Sequence, residues 1–132
     1  MTSTQSFHAE LADEAWAWWQ SRRLGYNLAL AAAGWAAYGL SVALFYGFRR
    51  PLWQDWPQAV SMTLFLGVAF LVLMGAANVF YLLGPAVESV VKPADPARFR
   101  RTAFRMGFWG SVALPFAFPL VNLAALIGGA FQ

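Results

Sequence analysis

The residues most able to do chemistry lie in one short stretch, "NVFYLLGPAVE", where Asn78, Tyr81 and Glu88 follow a long apolar run and flank a Gly84-Pro85 pair. Met74, Asn78, Tyr81, Pro85 and Glu88 recur at a 4-3-4-3 spacing, which places them on one face of a helix, the arrangement of a seam turned toward other helices. A carboxamide, a phenol and a carboxylate on one face can bind a cation or a small polar ligand. They can equally cross-link helices through hydrogen bonds. A second group, "RRLGYN", carries Arg22, Arg23, Tyr26 and Asn27. If the two segments cross the same bilayer in opposite directions, both groups fall at one depth. The expected polar cluster is therefore Arg22, Arg23, Tyr26, Asn27, Asn78, Tyr81 and Glu88, with Glu88 pairing to Arg22 or Arg23.

Other chemistry has little to work with. Cysteine is absent and His8 is the one histidine, so within a single chain neither a thiolate nucleophile, a His-bearing metal site nor a catalytic triad can be assembled. No Gly-rich phosphate loop, GxSxG or HExxH occurs. No enzymatic activity, no cofactor and no metal are expected. The remaining carboxylates lie near the ends of the apolar segments.

The elements that must carry these residues follow from composition. Of 132 residues, 60% are hydrophobic and 11% charged, too little charge for the surface of a soluble domain of this size. Uncharged segments run from Leu24 to Phe48, Gln58 to Val87 and Met106 to Phe131, each exceeding the ~20 helical residues that cross a bilayer. The expected fold is all-α: an integral membrane protein forming a single domain over 1–132. Transmembrane helices are placed at 24–48, 58–84 and 106–131. A basic loop fills 85–104. An amphipathic interfacial helix over 6–21 precedes the spans, with Phe7, Leu11, Ala15, Trp18 and Trp19 on one side and Glu10, Asp13 and Glu14 on the other. Trp16, Trp18 and Trp19, with Trp53 and Trp56 in the short loop, fit an aromatic belt at the two interfaces. The first span is too long for a signal peptide and is preceded by acidic residues.

Charge sets the expected orientation. Arg22, Arg23, Lys92, Arg98, Arg100, Arg101 and Arg105 share one side, whereas Arg49 and Arg50 lie on the other. The positive-inside rule then puts the N-terminus in the cytoplasm and the C-terminus in the periplasm or outside the cell, for a chain in a bacterial inner membrane. Arg98, Arg100, Arg101 and Arg105 are expected to meet anionic headgroups of the lipid bilayer, not nucleic acid.

Two packing signals remain. Gly25, Ala29, Ala33, Ala37 and Ser41 form a small-xxx-small strip, opposite Leu28, Trp35, Tyr38, Val42 and Phe45, that permits close helix approach within one chain or between chains. Pro115 and Pro119 interrupt the third span, predicting a kink or a break there; Asn122 beyond them is read as a helix contact.

The pair "WWQSRRLGYNLALAAAG" and "NVFYLLGPAVE" resembles what occurs in small bacterial multi-pass membrane proteins of unknown function, a resemblance that carries no activity. The small multidrug-resistance transporters are similar in size, but this chain has three spans and no glutamate within the first. Two functional expectations follow. One is a non-enzymatic protein acting by helix–helix assembly, as a homo-oligomer or as an accessory subunit bound to another membrane protein. The other is an oligomeric small channel or transporter with a cytoplasm-facing polar vestibule.

Overall fold

A computed structural model describes residues 3–48 and 53–130, with side chains from 9 to 48 and from 53 to 129. Phe7, His8, Arg49, Arg50 and Phe131 therefore lie outside the described side chains. The order is α1 (Ser3–Gly47), α2 (Trp56–Val91), α3 (Pro96–Ala113), a one-turn 3-10 helix (Leu114–Phe116) and α4 (Ala117–Ala130). The described residues are helical apart from short connections. Three rods, with α3 and α4 counted as one, are long and apolar enough to cross a membrane.

Short signals set the helix ends. Asp55 caps α2 by accepting from the Gln58 N–H at 2.8 Å, and Pro57 sits in the first turn, where its missing N–H costs nothing. Asp95 caps α3 the same way, accepting from the Arg98 N–H at 2.9 Å ahead of Pro96. Lys92 ends α2 in the left-handed region (φ 46°) and donates its N–H to the Glu88 carbonyl at 3.0 Å. Only Lys92 to Asp95 connect α2 to α3, so the basic loop expected over 85–104 is mostly helix. Nor does α2 stop at Gly84; it runs through Pro85 to Val91.

The separate interfacial helix expected over 6–21 is also replaced. Residues 3–47 form one helix, because nothing from Gln20 to Leu24 breaks one: glutamine, serine, arginine and leucine all sustain a helix at little cost. The tryptophans divide accordingly. Trp16 is half exposed and Trp18 half-buried, while Trp19 is buried in the bundle instead of lying in a headgroup belt.

The prolines of the third rod bend the expectation less. Pro115 falls in the 3-10 turn, the Ala117 N–H reaches back to the Leu114 and Pro115 carbonyls, and α4 resumes at once with Pro119 fully buried. The rod tightens for one turn without a gap. This is the usual way to carry a missing donor through a helix.

Helix α1 packs against α2, α3, the 3-10 turn and α4, whereas α2 packs on α1 and α3 and leaves α4 almost untouched. Three of the five strip residues are used inside the chain: Ala33, Ala37 and Ser41 are buried, Ala29 is half-buried, and Gly25 is exposed with open space around it. A stride of four drifts by about 40° per step at 3.6 residues per turn, so Gly25 and Ser41 end on widely separated faces. The buried line on α1 is instead Trp19, Tyr26, Leu30, Ala33 and Ala37, a 7-4-3-4 progression that stays on one side.

Candidate functional site

The three buried lines meet at one end of the bundle. α1 brings Trp19, Tyr26 and Leu30, α2 brings Met74, Tyr81 and Glu88, and α3 brings Arg100, Phe104, Phe108 and Ser111. Along the α2 face read from the sequence, Met74, Asn78 and Pro85 are half-buried, and Tyr81 and Glu88 are buried.

Glu88 is the centre of the polar network. Its Oε1 accepts from Arg100 Nε at 2.7 Å and its Oε2 from the Trp19 indole N–H at 3.1 Å. Arg100 continues to Glu14, with Nη1 to Oε1 at 3.2 Å; Arg100 and Glu88 are buried, while Glu14 is largely exposed. Tyr81 donates its hydroxyl to the Trp19 carbonyl at 2.6 Å. Trp19 thus makes polar contacts with α2 through both its ring N–H and its main-chain carbonyl. It also lies flat across Gly84, where a Cβ would stand 2.5 Å from the ring. Gly84 is what lets the indole reach Glu88.

One layer further along, Asn27 and Asn78 exchange hydrogen bonds, Asn27 Nδ2 to Asn78 Oδ1 at 3.2 Å and Asn78 Nδ2 to Asn27 Oδ1 at 2.7 Å. Each amide also donates to its own helix, to the Arg23 and Met74 carbonyls. The Tyr26 hydroxyl meets Ser111 Oγ at 2.8 Å and the Ala77 carbonyl at 3.3 Å, tying all three rods together. Around these bonds the rings pack edge to face or tilted: Trp19 on Tyr81 at 5.5 Å, Tyr26 on Tyr81 at 4.8 Å, Trp18 on Phe104 at 6.1 Å.

Two members of the expected cluster take other roles. Arg22 does not meet Glu88; it folds back on its own helix, donating to the Trp18 carbonyl at 3.2 Å with its guanidinium 3.8 Å above the Trp18 ring. Arg23 contributes its carbonyl to Asn27. The partner of Glu88 comes instead from the set expected at headgroups. Arg100 is buried and doubly paired, so it leaves that set, and Arg98, Arg101 and Arg105 remain exposed. Helical spacing had already separated them: Arg100, Phe104 and Ser111 follow a 4-7 progression on one face, and the other arginines fall off it.

Among the described residues no group of three or more His, Asp or Glu is placed to hold a metal ion. Both carboxylate oxygens of Glu88 are occupied by donors within the chain. Beside the network, the aromatic rings and Gly84 border a groove of about 240 Å³. The other end of the bundle holds a larger apolar cleft of about 670 Å³, walled by Gly34 and Trp35 of α1, Gly67 and Phe70 of α2, and Pro115 and Phe118. It exists because α2 diverges from α4. Its hydroxyls, Tyr38 and Thr63, bond each other at 2.7 Å. On α4, the Asn122 Nδ2 is buried with no hydrogen-bond partner.

No family model, no curated protein and no solved structure matches this chain.

Proposed function

We propose that this chain is a non-enzymatic, multi-pass protein of a bacterial inner membrane that acts by helix–helix assembly, as a homo-oligomer or as an accessory subunit of a larger membrane complex. The observation that carries the reading is the contrast within α2. Its network end is fixed by Tyr81 and Glu88, and the buried polar side chains there are matched inside the chain. Its other end stands apart from α4 and turns Leu64, Val68 and Leu71 outward beside an apolar cleft. Helices in lipid associate by close packing at such surfaces, where glycines let a partner approach. A polar vestibule open to solvent, by contrast, requires an accessible polar group, and Glu88 is buried with each oxygen accepting from a donor within the chain.

Under this reading the N-terminus and the α2–α3 connection face the cytoplasm, in keeping with the basic residues gathered there. The test is a photo-reactive amino acid placed at Leu64, Val68 or Leu71 in living cells. Adducts with protein, either a second copy or one other membrane protein, are expected. Adducts with lipid alone contradict the proposal. Flux of ions or solutes through reconstituted vesicles that disappears with Glu88→Gln, while the fold is retained, would replace assembly by transport.

A further inference from the structure

Two outward faces at the network end carry opposite charge at neighbouring depths. On α1, Glu10, Asp13, Ala17, Leu24, Leu28 and Trp35 fall within about 60° of one another at 100° per residue, on the side opposite Trp19 and Tyr26; Glu10, Asp13, Leu24, Leu28 and Trp35 are all exposed. On α3, Arg98, Arg101, Arg105 and Trp109 form a second exposed face turned away from Arg100 and Ser111. Among the described residues the ion pairs are Arg100 with Glu14 and with Glu88, and neither Glu10 and Asp13 nor Arg98, Arg101 and Arg105 is paired with another described residue.

Their depths are fixed by two contacts. Glu14 bonds Arg100, 86 residues on, and Tyr26 bonds Ser111, 85 residues on. Helices α1 and α3 therefore run parallel and in constant register, which sets Asp13 at the depth of Arg98 and Leu24 at the depth of Trp109. Copies of one chain inserted in the same sense in one bilayer share orientation and depth, so a closed assembly has its axis along the membrane normal and no axial shift. A face that recognises a second copy must meet its complement near its own level: Asp13 is level with Arg98, and Arg101 lies three residues, about 4.5 Å, further along, within reach of a long side chain.

We propose that the partner at these faces is a second copy of this chain, the acidic face of α1 in one copy lying against the Arg98–Arg101–Arg105 face of α3 in the other, with Leu24 beside Trp109 continuing the contact into the apolar layer. This rests on the assembly reading above and names its partner. Exposed ion pairs contribute little affinity each; their effect is to select which faces meet and to exclude the others.

The test is charge reversal with rescue in trans. One variant carries Glu10→Lys and Asp13→Lys, the other Arg98→Glu and Arg101→Glu, each labelled with a donor or an acceptor fluorophore and reconstituted in zwitterionic vesicles. Each variant alone is expected to self-associate roughly tenfold more weakly than the wild type, and the two mixed are expected to regain wild-type energy transfer, because both interfaces of the mixed pair again join opposite charges. That recovery also shows that the variants fold. Equal transfer in every sample overturns the inference and leaves assembly through another face. Variants that associate weakly and are not restored by mixing overturn it as well, as does a wild type that changes its self-association only when anionic lipid is added, which assigns the arginines to headgroups. Adducts from the cleft positions are read separately, so failure here and failure of the assembly reading are distinguishable.

Discussion

At one end of the bundle two asparagines from different helices bond each other in both directions, and an indole lies locked across a glycine. At the other, Asn122 buries its amide nitrogen without a partner, and Gly34 faces the Phe70 ring at the edge of a cleft. Both ends contain glycines, aromatic rings and amides. They differ in whether the polar groups have partners on a third helix. Where α1, α2 and α3 converge, each donor finds an acceptor and the rings are held from several sides. Where α2 leaves α4, the one Tyr38–Thr63 bond and van der Waals contact remain, and a helix face is left for something else to cover. In lipid this difference matters more than composition, because apolar surface by itself has no preference for protein over acyl chains.

The locked end is opened furthest by a change at Arg100. Arg100→Gln leaves Glu88 buried with the indole as its one donor and is expected to cost about 3–5 kcal/mol, whereas adding Glu88→Gln recovers part of that loss by removing the stranded charge. Unfolding in mixed detergent micelles measures both.

The two glycines sharpen the contrast between the ends. Gly84→Ala forces Trp19 away from Glu88, an overpacking expected to cost about 1–3 kcal/mol. Gly34→Ala presents the same 2.5 Å approach to Phe70, but that half-buried ring borders open volume and can turn aside, so the loss is expected to stay below about 1 kcal/mol. Equal losses at the two sites would remove the distinction between a locked end and a loose one.

The amides give smaller effects of opposite sign. Asn122→Leu removes an unpartnered donor and is expected to gain about 1 kcal/mol in the same unfolding assay. A double-mutant cycle on Asn27→Ala and Asn78→Ala is expected to show a favourable coupling of about 0.6 kcal/mol, the common size of an interhelical hydrogen bond in a membrane protein.

Much of this was legible in the sequence, for reasons that particular residues make plain. The three apolar rods follow from length and hydropathy. The α2 seam follows from period alone, since Met74, Asn78, Tyr81, Pro85 and Glu88 keep the 4-3 alternation that holds a line on one side of a helix. The same alternation on α1 and α3 identifies Trp19, Tyr26, Arg100 and Ser111. Two competing patterns hid them: the stride of four from Gly25 to Ser41, which drifts around the helix, and the clustering of arginines, which suggests a common fate for Arg100 and its neighbours. The identity of the Glu88 partner depends on how three helices converge. That is a tertiary fact, and no one segment contains it. The continuity of α1 from Ser3 was missed because tryptophans and acids ahead of a span imitate an interfacial helix; they mark a separate one only when something breaks the chain between them, and here nothing does.

The buried polar groups of the network are matched within the bundle, and its outward faces are left to assemble. The most direct measurement is the mass of the particle released from native membranes with its surrounding lipid, by native mass spectrometry after the lipid is stripped. A defined particle heavier than one chain is expected, either a whole multiple of 14.6 kDa or one chain with a stoichiometric companion. A particle of one chain and lipid, at every concentration tried, would contradict it.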